Sequence, residues 1–115
     1  MTAGANKDAN QKSAEEVVHQ ALSDARAVAT SANINFMLDG LKTLQKVGPK
    51  FNYAVKKQTP SELVVTTNVN GAKKIVVNNE GVGEDNSFES GPLAAERVLM
   101  DITHRAVKQG LMSKP

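Results

Sequence analysis

Ser61 to Asn79 reads SELVVTTNVNGAKKIVVNN. Two runs rich in Val, Ile and Thr, residues that fit a pleated surface, flank Asn70-Gly71. Asn-Gly best tolerates the positive φ angles of a two-residue type I′ turn, so the stretch predicts a β-hairpin with strands 62–69 and 72–78. A two-residue loop sets Val69 opposite Ala72, Thr67 opposite Lys74, Val65 opposite Val76 and Leu63 opposite Asn78. The other face then pairs Asn68 with Lys73, Thr66 with Ile75 and Val64 with Val77. A one-residue slip would exchange these faces. Neither face is purely polar in this register, which predicts cover on both, from this chain or from an oligomer.

Working outward, Phe51, Tyr53 and Val55 alternate just before Lys56-Lys57, giving a first strand over 51–58 that stops at Thr59-Pro60. Upstream, apolar residues recur at helical spacing from Val17/Val18 to Val28/Ala29 and again from Ile34 to Val47. Ser13-Ala14-Glu15-Glu16 fits a capping box at the start, and Gly48-Pro49 is a stop. The spacing predicts a helix over 13–47. Unbroken, it would run about 52 Å at about 1.5 Å per residue, too long for so small a domain. A kink near the weak helix formers at 30–33, or an N-terminal half packed on another chain, resolves this. Residues 1–12 are small and polar and read as a flexible arm.

Downstream, residues 79–91 read as an acidic, Gly-rich loop with one apolar anchor, Phe88. Pro92 suits a first helical position and opens a last helix over 92–109. There Asp101 and Arg105 form an i,i+4 pair, Gly110 is a stop, and 111–115 is a tail. The prediction is one α+β domain: long helix, three-stranded antiparallel sheet, C-terminal helix.

With 115 residues, one domain is the limit, and 3% aromatic residues make its core aliphatic. The absence of cysteine excludes disulfides, thiolate metal sites and cysteine nucleophiles. No apolar run is long enough for a membrane span, and the first residues lack the apolar core of a signal peptide. These features predict a cytoplasmic protein or, in a virus, a virion-associated one.

Charge is uneven along the chain. Residues 1–39 carry three basic against five acidic side chains, residues 40–75 seven against one, and residues 76–115 four against six. The basic middle is Lys42, Lys46, Lys50, Lys56, Lys57, Lys73 and Lys74. Together these would contact phosphates, and a set made of Lys without Arg implies backbone contact rather than base reading. The bland reading is a solvated surface that keeps sheet edges from aggregating. The helical stripe Val18, Leu22, Ala25 and Val28 reads as a self-association surface, with packing on the chain's own sheet as its alternative.

Catalytic signals are weak. His19 and His104 stand alone, Gly81-Val82-Gly83 does not continue into a phosphate cradle, and no serine lies in G-x-S-x-G. Glu80, Glu84, Asp85 and Glu89 lack the spacing of a calcium loop and read as a solvated loop or a contact for a basic partner. The sequence thus predicts no catalytic residue, no metal and no cofactor. The leading expectation is a non-enzymatic, oligomer-forming protein that binds an anionic partner, DNA or RNA, through the Lys-rich middle. The second is a structural, assembly or adaptor protein, such as a viral or phage component, acting through protein contacts of the long helix and sheet edge.

The order of Phe36–Val47 as helix, Asn52–Lys57 as strand, the Val69-Asn70-Gly71 hairpin and Ala94-Ala95-Glu96 in the last helix resembles double-stranded RNA-binding domains. The order over residues 33–108 is also similar to that of small dimeric nucleoid proteins. Glu89-Ser90-Gly91-Pro92 stands where the RNA-binding family opens its final helix with a lysine pair, and that family's histidine in the first strand connection is missing, so RNA binding is not carried over.

Overall fold

The computed structural model describes residues 14–25 and 33–112. A helix covering residues 14–25 (α1) is followed by α2 (Asn33–Val47), then β1 (Tyr53–Gln58), β2 (Glu62–Thr67), β3 (Lys74–Asn78), β4 (Gly81–Gly83), β5 (Phe88–Ser90) and α3 (Ala94–Lys108). The strands form one antiparallel meander in the order β1-β2-β3-β4-β5. The α+β class agrees with the sequence. The detail differs: three helices and five strands replace two and three. The RNA-binding and nucleoid topologies, with their three strands, are therefore not reproduced.

The span 13–47 is divided between α1 and α2, and α2 begins at Asn33. Ser13, Val28 and the proposed kink at 30–33 fall wholly or partly outside the described residues. Gly48 ends α2 as expected, with its N–H donating to Leu44 O at 2.8 Å. α3 begins at Ala94 rather than Pro92; Leu93 takes the cap position, and Pro92 lies just before it. Past α3, Gly110 takes φ +78°. The Gly110 and Leu111 N–H groups bond back to Val107 and Ala106 carbonyls in the pattern of a Schellman stop.

The hairpin exists, but with another turn and another register. Gly71 has φ +91° while Asn70 is not positive, so the type I′ turn, which needs both central residues positive, is not formed. Residues 68–73 connect the strands. Thr67 holds the start of this connection, its Oγ1 donating to Ala72 O at 2.8 Å and accepting from Val69 N–H at 3.0 Å. The pairing is one residue off the two-residue-loop prediction: Leu63 faces Val77, Val65 faces Ile75, Val64 faces Val76, Thr66 faces Lys74 and Glu62 faces Asn78. The physical reason is burial. This register puts Leu63, Val65, Ile75 and Val77 on one face, and all four are fully buried.

Two short strands arise where the sequence reads as a loop. Asn78 Oδ1 accepts from the N–H groups of Glu80 and Gly81, at 2.8 and 3.1 Å, and turns the chain back. Val82 can then pair with Val77 and join the core. Three-residue strands with two glycines carry almost no periodicity, which is why they read as coil.

The helices cover one face only. α2 and α3 pack on each other, α2 touches β3, and α3 touches β4 and β5. Val18 and Leu22 of α1 join the same core with Met37, Leu41, Phe51 and Leu99. β1 lies beyond this cover, so Val55 is 42% exposed although it pairs with buried Val65.

Candidate functional site: an open sheet face

The register defines what the uncovered face presents. One row runs straight across all five strands: Lys57, Val64, Val76, Gly83 and Phe88. Beside it lie Ala54, Thr66 and Lys74 on one side, and Glu62, Asn78, Gly81 and Ser90 on the other. Val64 and Val76 are half-buried by their neighbours, and Phe88 is 59% exposed. A side chain at Gly81 would run into the Phe88 ring and the Glu89 carbonyl, so the ring rests on a glycine shelf. Phe88 is the anchor noted in the sequence, but it anchors nothing inward. Among the described residues no element covers this face. A hollow of about 310 Å³ opens on it between Lys74, Val76, Gly83, Glu84 and Asp85.

The seven lysines do not share one surface. Lys42 and Lys46 lie on the exposed stripe of α2, behind the covered face. Lys57 and Lys74 lie on the open face, and the sheet stands between the two sets. Lys56 occupies a β-bulge in edge strand β1. Lys50 and Lys73 stand near the hairpin end, their carbonyls bonded to Asn68 Nδ2 and Thr67 N–H.

Acidic groups sit close to several of these lysines. Lys57 Nζ lies 2.6 Å from Glu62 Oε1. Asp85 accepts from the backbone N–H groups of Lys73 and Lys74, each at 3.0 Å. Those two bonds, with Lys73 and Arg105 nearby, hold its carboxyl below the usual range. The acidic loop therefore clamps the basic hairpin within one chain. Next to it, burial pushes the Glu84 carboxyl up, and the Asp101 carboxylate adds to the shift. Glu84 Oε1 accepts from Ser87 Oγ at 3.2 Å, while Oε2 is enclosed and accepts no hydrogen bond. Asp101 of α3 stands close enough to act on the Glu84 carboxyl. Asp101 Oδ2 also accepts from Arg105 Nε at 2.8 Å, which raises the Arg105 guanidinium further.

Arg105 and Gln109 in turn grip the hairpin. A side chain at Gly71 would overlap the Arg105 guanidinium, and Gln109 exchanges hydrogen bonds with both backbone groups of Asn70, at 3.1 and 3.4 Å. Sequence reasoning found the Asp101–Arg105 pair but not its neighbours, because Glu84 and Gly71 approach α3 only through the tertiary fold.

The stripe expected to self-associate is used internally: Val18 and Leu22 are buried in this chain's core and Ala25 is half-buried against it, while Val28 lies outside the described residues. His104 Nδ1 lies 3.4 Å from Glu15 Oε1, tying α3 to α1. His19 lines a groove of about 430 Å³ between the same helices, with Leu22, Leu93, Arg97 and Met100. Among the described residues no group of three or more acidic or histidine side chains is placed to hold a metal ion, and no helix is long and apolar enough to cross a membrane.

No known protein family, curated protein or solved structure matches this chain.

Proposed function

We propose that this chain is a non-catalytic assembly protein that docks another protein surface on its open sheet face. The observation that carries this reading is the row Lys57–Val64–Val76–Gly83–Phe88, with an apolar middle and charges of both signs at its margins. That layout, an apolar centre within a polar rim, is the anatomy of a protein interface. Exposed aromatic residues are the common anchors of such contacts, and Phe88 stands in the row at 59% exposure. Nucleic acid is the second reading, and it draws on Lys57 and Lys74 sharing the same face. It is disfavoured by Glu62, which pairs with the Lys57 ammonium, and by the acidic Asp85, whose carboxylate is held at the Lys74 backbone N–H.

Photo-cross-linking tests the choice. A benzophenone amino acid at position 88 should yield discrete protein adducts in the native cell, and the same probe at exposed position 45 on α2 should not. Adducts to nucleic acid from position 88 would favour the second reading. For that ligand, binding to a labelled oligonucleotide at about 50 mM salt should fall steeply as salt rises. Equal labelling from both positions, or none from position 88, would overturn the proposal.

A further inference from the structure

We infer that Asn70-Gly71, at the tip of the β2–β3 hairpin, is a site of self-modification: it converts through a cyclic imide to aspartate and isoaspartate, at a rate set by the grip of α3. The reaction draws on water alone. It requires a backbone N–H that can reach the asparagine side chain.

Asn-Gly occurs once in the chain. Every other asparagine is followed by a residue whose own side chain crowds the attacking N–H, and glycine has none. The dipeptide fills the two central positions of a turn, in which the Ala72 N–H donates to Val69 O at 3.0 Å. Gly71 at φ +91° with Asn70 on the negative side matches a type II turn. Asn70 is exposed. Among the described residues, its side-chain amide and the Gly71 N–H take part in no hydrogen bond. Other asparagine side chains are held: Asn68 bonds to backbone groups of Asn52 and Lys50, and Asn78 to those of Glu80 and Gly81. Both reacting groups at the tip are therefore free.

The Gly71 nitrogen gives its proton to solvent base and bonds to Asn70 Cγ, and the side-chain nitrogen leaves as ammonia. In the resulting five-membered ring, the Gly71 nitrogen is joined to both carbonyl carbons of residue 70. Water then opens the ring. Cleavage of the new bond to Cγ gives aspartate with the backbone unchanged. Cleavage of the original peptide bond gives isoaspartate, whose chain runs through Cβ and Cγ and is longer by a methylene. In sum, water is consumed and ammonia released.

Ring closure requires rotation about the Asn70 Cα–C bond, away from the type II setting, and Gln109 opposes it. The Gln109 side chain accepts from the Asn70 N–H at 3.1 Å and donates to Asn70 O at 3.4 Å, while the Arg105 guanidinium lies against Gly71. The site thus reacts from a locally opened hairpin end, and the free energy of that opening sets the rate. Isoaspartate, once formed, displaces the carbonyl that Gln109 holds. Each such conversion detaches the hairpin end from α3.

Incubation of the full chain in warm, mildly alkaline buffer, followed by digestion and mass spectrometry, reads the conversion as the mass gain of amide to acid. An isoaspartate methyltransferase with a labelled methyl donor counts the isoaspartate share. Position 70 should convert ahead of every other asparagine, including Asn86, which is exposed and followed by the small Ser87. Gln109 is exposed, so Gln109→Ala should fold, as circular dichroism checks. It removes both bonds and should convert about tenfold faster, the factor that about 1.4 kcal/mol gives. In urea strong enough to unfold both chains, wild type and variant should convert at one shared rate, above that of folded wild type. The isoaspartate form, isolated by chromatography, should melt below the unaged chain. Faster conversion at Asn86, no conversion at position 70 in the variant, or equal rates in the folded wild type and variant would overturn the inference. So would an isoaspartate form as stable as the unaged chain.

Discussion

The two faces of this sheet are built from the same strands and nearly the same residue types, yet they behave as different materials. Ile75 and Val77 point to the helices and are fully buried, while Val76 between them points the other way and is half-buried. Leu63 and Val65 stand in the same relation to Val64. Alternation along a strand thus separates the faces but does not say which one is covered. Cover is decided by where the helices sit, and here they sit over β3, β4 and β5 on one side.

Adjacent truncations break the comparison most sharply. Ile75→Ala should cost about 2–5 kcal/mol, the range for emptying a close-packed site. Val76→Ala, one residue on, should stay within about 0.5 kcal/mol, as is usual for surface positions. Urea denaturation of both variants reads the difference. Equal losses would mean that something covers the open face in solution, and a loss at position 76 that grows with protein concentration would point to a second copy.

The covered face also depends on a close crossing. Gly40 of α2 is buried, and a Cβ there would run into the Leu99 side chain of α3. Gly40→Ala gains up to about 1 kcal/mol of helix propensity. Overpacking costs about 1–3 kcal/mol, so the variant should be less stable. Trimming the neighbour with Leu99→Val should recover part of the loss. A stabilised Gly40→Ala protein would show that α2 and α3 do not meet as described.

Gly71 is the corresponding test at the hairpin end. Its φ of +91° strains any residue with a side chain, by about 1–2 kcal/mol. Its open side is filled by Arg105. Gly71→Ala should therefore cost at least that strain. Pairing it with Arg105→Ala should leave only the backbone part, a difference that a double-mutant cycle measures.

What was legible in the sequence follows from the range over which each signal acts. The hairpin strands, the Gly48 stop and the Asp101–Arg105 pair are set by residues a few positions apart, and all were readable. The register was not. It turns on how many residues the hairpin connection holds, and Thr67, which clasps that connection with two hydrogen bonds, sends no pattern beyond itself. β4 and β5 were hidden because Gly81 and Gly83 serve the sheet by being small under Phe88, a role that looks like a loop in one dimension. The lysine cluster was legible only as a run. Strand reversal and the two layers spread it over both sides of the sheet, and Asp85 was brought back onto it from eleven and twelve residues away.

The smallest expected effect lies at the margin between the two faces, where Glu84 and Asp85 are neighbours with opposite tendencies. The Asp85 carboxyl is held below its ordinary value by the N–H groups of Lys73 and Lys74. Its contribution is therefore present above the unfolded pKa and fades as pH falls through the folded one. The Glu84 carboxyl is raised by burial and by Asp101. Its contribution is full below the unfolded pKa and fades as pH rises through the folded one. The groups facing Glu84 are Ser87 beside it and Asp101 and Arg105 on α3. Lys73 and Arg105 act on Asp85. The two carboxyls together make the junction firmest in the mildly acidic range between their transitions. Glu84→Gln keeps a donor toward Asp101 at every pH, so it should remove the loss on the alkaline side and leave the acid side unchanged. Asp85→Asn should do the reverse, removing the acid-side loss while weakening the clamp throughout. Melting temperatures followed from about pH 2 to pH 8, from below the ordinary Asp range to above the ordinary Glu range, separate the two. Identical profiles for Glu84→Gln and wild type would mean that Glu84 is ionised throughout and that its enclosed oxygen is satisfied by water. In that case the turn before β5 would not be latched to α3, and the margin of the open face would be free to move when a partner docks.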